Sequence, residues 1–113
     1  MFNKVVELNL EYGYPSVENA LLKMKNFLAT AKRQGSKAVI IIHGYGSTGV
    51  GGAIKPAVVR CLGESNMCGI VKAFVSGENW INKKREFLSL CKDLQNFERK
   101  ISGNNGVTVV VLK

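Results

Sequence analysis

The sequence predicts a single-domain α/β protein, a two-layer α/β sandwich with elements in the order β-α-β-α-β-α-β around a mixed four-stranded sheet. Three observations lead there. Val39, Ile40, Ile41 and Ile42 are a run of β-branched residues, the pattern of a strand buried on both faces, and the run stops at His43-Gly44. Stretches on either side of it, Val17 to Ala31 and Ala53 to Leu62, carry apolar residues at helical spacing. The connections between these stretches are short, and right-handed crossovers then put the strands in a mixed or mostly parallel sheet covered by helices.

Taken in order, Lys4 to Leu10 alternates loosely and reads as a strand ending near Glu11. Tyr12-Gly13-Tyr14-Pro15 breaks it, and Ser16 is placed to cap a helix. The apolar stripe Val17, Ala20, Leu21, Met24, Phe27, Leu28 and Ala31 defines that helix, Lys32 and Arg33 suit its C-terminal dipole, and Gly35 closes it. After the Val39 to Ile42 strand, five glycines fall between Gly44 and Gly52, and a second helix follows over Ala53 to Leu62, with Pro56 expected in its first turn. Ile70 to Val75 reads as the third strand. Trp80 to Ile101 reads as a longer amphipathic helix, or one with an irregular start near the basic triplet Lys83-Lys84-Arg85. Ser102 to Gly106 is a turn and Val107 to Leu112 the last strand. No linker or repeat interrupts residues 1–113, which form one domain.

Sixteen Lys and Arg against eight Asp and Glu give a formal charge of +8, and on so small a surface that creates a strongly positive field. The natural partner is DNA or RNA, engaged through its backbone; the plain alternative is that the charge serves solubility. The cysteines Cys61, Cys68 and Cys91 are odd in number, include no C-x-x-C, and accompany a single histidine. They indicate neither a disulfide framework nor a zinc site, and point to reduced thiols and a cytoplasmic location. The first ten residues lack a signal-peptide core and no apolar run approaches the ~18 residues of a membrane span, so no membrane partner is expected.

Strand, glycine loop and helix N-terminus form a geometry suited to anions, because free amides and the helix dipole converge there. Gly44, Gly46 and Gly49 bring amides close to a phosphate, Ser47 and Thr48 add hydroxyls, and Lys55 sits at the start of the second helix. A tight turn with no ligand is the simpler reading. His43, at the end of the strand, is a candidate acid, base or phosphate donor, against the alternative of a satisfied structural histidine. Glu11 is the nearby acid that would hold a water or a metal, or else a solvated strand end. Tyr45, Tyr12 and Tyr14 offer faces for base stacking. Lys32, Arg33, Lys37, Arg60, Lys83, Lys84 and Arg85 are candidate phosphate contacts, or simply solvated faces; Trp80 belongs to the core or covers the sheet edge.

The segment IIIHGYGSTGVGGAIKPAVVRCL and the terminal GNNGVTVVVL together resemble the Smr (small MutS-related) domain family: a strand, an H-G-x-G loop and a helix, then a closing glycine turn and strand. The resemblance spans most of the chain. It implies an α/β sandwich similar to the C-terminal domain of a translation initiation factor, binding DNA or RNA, with nicking or endoribonuclease activity in some members. The family's first-strand motif is L-D-x-H. In one register Asn9 stands for the acid and Glu11 for the histidine; in the other Leu10-Glu11 takes the Leu-Asp place and Gly13 the histidine's. Either way that histidine is absent. The resemblance thus implies catalytic positions at His43, Glu11 and Asn9 with weak or lost activity, and Mg or Mn as a cofactor only for a working nuclease. Residues 80–101 form a helical insertion longer than the family's loop.

Two readings from other classes complete the set. Gly44-Tyr45-Gly46-Ser47-Thr48-Gly49 fits G-x-G-x-x-G formally, but the next strand ends in Ser76-Gly77 rather than an acid, and no G-K-[ST] closes the loop, which argues against a nucleotide site. The other is an inactive adaptor docking a protein or ribonucleoprotein partner through residues 80–101.

Overall fold

The computed structural model describes residues 4–11, 16–44 and 51–113. Four strands, β1 (Val5–Asn9), β2 (Ala38–Ile42), β3 (Val71–Ser76) and β4 (Val107–Leu112), lie in the sheet order β1-β2-β4-β3. β1 and β2 are parallel and β4 is antiparallel to both of its neighbours, so β3 runs in the same direction as β1 and β2. The sheet is mixed, as the sequence predicts. The place of β4 between β2 and β3 is what the sequence leaves open.

Helix α1 (Val17–Arg33) links β1 to β2, and α2 (Gly51–Leu62) links β2 to β3 across the slot that β4 fills. Right-handed crossovers stepping the same way along a sheet leave their helices on one face. α1 and α2 accordingly share one core: Ala20, Met24 and Leu28 from the first and Ile54, Val58 and Leu62 from the second, packed on Val39, Ile41 and Val110. The ends of α1 explain its length. The Ser16 side chain accepts from the Asn19 amide at the N-terminus. At the C-terminus Gly35, at φ 90°, lets its own amide reach the Lys32 carbonyl and the Ser36 amide reach that of Ala31, closing the helix with a Schellman turn. Pro56 lies in the second turn of α2, one turn further in than expected, because the helix begins at Gly51.

Two expectations need correction. Residues 80–101 are not one helix: α3 (Trp80–Leu90) ends where Cys91 turns extended (φ −152°, ψ 93°), a 3₁₀ segment runs over Lys92–Phe97, and α4 (Glu98–Ile101) completes the connection. An unbroken helix of this length would be about 33 Å long, well beyond a strand of six residues at about 20 Å. The break folds the segment back over the sheet, so that Trp80, Phe87, Leu94 and Ile101 all pack on Ala38, Ile40, Val75, Val109 and Val111. These are the alternate residues of the same strands, hence the opposite face. The sandwich therefore has three layers rather than two, and β4, covered on both sides, is buried along its whole length. Among the described residues no helix is long and apolar enough to cross a membrane.

Candidate nucleic-acid interface

Because β1, β2 and β3 run together, their C-terminal ends emerge along one edge, where β4 begins and α2 starts its return. This edge collects Asn9 and Glu11, His43 and Gly44, Glu78, and the turn Asn104 to Gly106. Open α/β sheets carry ligands at this end.

Local hydrogen bonds set each group. The Asn9 side chain accepts from the Glu11 amide at 2.8 Å, a turn of the chain on itself that directs Glu11 back over the sheet end. The Leu10 amide reaches the Ile42 carbonyl at 2.8 Å and extends the β1–β2 ladder one step. The amides of His43 and Gly44 both donate to the Gly106 carbonyl, at 2.9 and 3.0 Å, while the Asn104 side chain accepts from the Gly106 amide at 2.8 Å. The backbone at Gly44 favours glycine. Its φ is +80°, and a Cβ there would lie 2.2 Å from a carboxylate oxygen of Glu11. The Glu11 carboxylate thus lies directly on Gly44.

His43 is fully buried. Its Nδ1 faces the Gly44 carbonyl at 3.0 Å and its Nε2 the Thr108 hydroxyl at 2.8 Å. A carbonyl only accepts, so the neutral ring carries its proton on Nδ1 and Nε2 accepts from Thr108. Burial pushes the His43 pKa below its ordinary 6.5; the bond to the Gly44 carbonyl opposes this, the Lys55 ammonium adds to it, and Glu11 and Glu78 act the other way. The ring reaches no solvent in this arrangement and ties the end of β2 to β4. With the folded pKa lowered, the unfolded chain takes up this proton first as the pH falls. Stability is therefore complete above about pH 6.5 and is lost progressively below it. We expect urea midpoints to fall between about pH 7 and pH 5.5, and His43→Gln to flatten that step; an equal slope in the variant would remove His43 as its source.

Lys55 is on this edge as expected, but its ammonium is held by the Glu78 carboxylate. Two of the edge's carboxylates, Glu11 and Glu78, thus stand where an incoming anion would meet the protein. Among the described residues no group of three or more His, Cys, Asp or Glu side chains comes together. Tyr45, Gly46, Ser47, Thr48 and Gly49, like Tyr12, Gly13 and Tyr14, lie outside the described residues.

Lys32, Arg33 and Arg60 are not brought to this edge. Both helices run against the parallel strands, so their last turns fall at the other end of the sheet. Sequence reasoning missed Glu78, Thr108 and Asn104. Thr108 alone had a signal, as the one hydroxyl in the apolar strand VTVVVL.

The fold and this glycine-turned strand end define a small α/β domain with its candidate site at the strands' C-terminal edge. A family model described as the Smr domain matches residues 13–82, more than half of the chain, and the chain belongs to that family. Among solved structures, the Smr domain of Thermus thermophilus MutS2 is similar in fold, with a TM-score of 0.56 and 24% identity over 98% of this chain and 99% of that one. No curated protein matches the sequence.

Proposed function

We propose that this Smr domain binds nucleic acid through its phosphate backbone, at the edge formed by Gly44, Lys55 and the start of α2. The observation that carries this reading is the convergence of a strand end, a glycine turn and a helix start beside Lys55, in a chain of net charge +8. Backbone-led contacts follow from the absence of a base-reading motif in the sequence, so positioning and shape rather than base edges would govern affinity.

Binding rather than cleavage is the activity this geometry favours. A general acid or base must reach the reacting atoms through a hydrogen bond or one water, and the buried His43 has both nitrogens committed inside the protein. Asn9 is committed to the Glu11 amide. Glu11 is exposed, and in this reading its carboxylate is an internal anion resting on the phosphate position.

The roles of the two carboxylates and the lysine are separable by titration. Removing the negative charge with Glu11→Gln should tighten binding of a labelled duplex by roughly twofold to fivefold, the size of one exposed charge interaction. Glu78→Gln should do the same by freeing Lys55, and Lys55→Gln should weaken binding by a similar factor. Three variants indistinguishable from the parent would place binding elsewhere on the domain.

A further inference from the structure

The opposite edge of the sheet carries a second concentration of positive charge. Lys4 enters β1, Lys37 enters β2, and Lys113 leaves β4, whose reversed direction brings its C-terminus to this end. The three backbones are laced together: the Lys37 amide donates to the Lys4 carbonyl at 2.7 Å, and the Leu112 amide to the Lys37 carbonyl at 2.8 Å. Lys32 and Arg33, at the end of α1, arrive at the same edge through the short Gln34 to Ser36 turn. All five cations are exposed. Among the described residues none of them forms an ion pair, although Asp93 lines the groove beside Lys4.

Ordinary structural roles account for only part of this. Lys32 and Arg33 complement the C-terminal dipole of α1. Lysines on exposed edge strands guard against strand pairing, but β2 and β4 are the two inner strands of the sheet, so Lys37 and Lys113 guard nothing. Lys4, Lys37 and Lys113 belong to three adjacent strands, spaced about 4.8 Å apart. Three lysines at the ends of three adjacent strands, with Lys32 and Arg33 beside them, spread positive charge along this edge and complement a polyphosphate chain rather than a single carboxylate.

We propose that this edge is a second nucleic-acid contact, which takes the phosphate backbone of a duplex, so that one domain bridges two duplex segments. The proposal rests on the nucleic-acid binding proposed above and extends it. From Lys37 to His43 is six residues of extended chain, about 20 Å, and the two edges face away from each other. A straight duplex lying on one edge does not reach the other, and a second segment is needed to satisfy both.

The test uses the full chain and the K4Q/K37Q/K113Q variant, which leaves the cap of α1 intact. Each is first titrated with a short labelled DNA duplex between about 50 and 200 mM salt. Each is then added to bead-bound duplex, and capture of a second, labelled duplex is measured. The parent should capture the second duplex. The variant should still bind one duplex with a salt slope close to the parent's and unchanged thermal unfolding, and lose most of the capture of the second. A variant that binds and bridges as the parent does would overturn this proposal and leave the first one standing. A parent that binds no duplex at any salt would overturn both.

Discussion

Trp80→Ala is expected to lower the unfolding free energy by about 3–5 kcal/mol, the largest loss for any single side chain in this protein. Trp80 is fully buried and is the first residue of α3, where it starts the layer that covers the second face of the sheet. Its ring meets Phe87, two helical turns along, edge-on at 6.1 Å and 63°, a geometry that adds to simple burial. Its indole nitrogen donates to the Glu98 carboxylate at 3.3 Å, and Lys84 pairs with the same carboxylate at 2.5 Å. These two hydrogen bonds hold the Glu98 carboxyl below the usual carboxylate range. Removing the ring therefore opens a cavity between α3 and β3–β4 and also removes one of the two side-chain bonds that join α3 to Glu98 of α4. Urea unfolding followed by far-ultraviolet circular dichroism measures the loss, since Trp80 is the only tryptophan. A cost below about 1 kcal/mol would mean that the second layer contributes little to the fold.

Gly77→Ala is the second. Gly77 has no positive φ to explain it, yet a Cβ there would lie 2.2 Å from the Asn104 carbonyl oxygen and 2.6 Å from that of Ile101. Both are backbone atoms, and the Gly103 amide is already bound to the Gly77 carbonyl at 3.0 Å, so nothing can step aside cheaply. The expected cost is about 3 kcal/mol, at the upper end for overpacking. The consequence reaches the candidate site, because Asn104 accepts from the Gly106 amide and Gly106 in turn holds the amides of His43 and Gly44. Gly69→Ala is the matched control, since a Cβ there meets nothing within 4 Å. Equal stability of the two variants would contradict the packing described for the Gly77 to Gly106 contact.

Much of this molecule is legible in the sequence wherever a local pattern decides the outcome. The stripe of α1, its serine cap and its glycine end are short-range effects, and they fall where the residues place them. The β-branched run Val39 to Ile42 and the glycine turn after it are equally local. What is not legible depends on register. Thr108 faces His43 because β4 inserts beside β2 with Ile41 opposite Thr108, and no sequence spacing encodes a contact 65 residues apart. The same holds for Lys55 and Glu78, which meet because α2 and the end of β3 return to one edge. The direction of the helices likewise carried Lys32, Arg33 and Arg60 away from the loop whose charge they were expected to supplement. Periodicity misjudged residues 80–101 for a related reason. The apolar spacing is helical throughout, but the strands it covers are too short for one helix, and the chain turns back at Cys91.

The measurement that tests the central claim most directly is a titration of the purified domain with labelled single-stranded RNA, duplex RNA and plasmid DNA over a salt series. Cleavage is read in the same tubes with and without magnesium or manganese. The account predicts binding that weakens steeply as salt rises, tightened by Glu11→Gln, with no cleavage in any tube. Absence of binding at every salt concentration would contradict it, and so would cleavage that disappears in His43→Gln while binding persists.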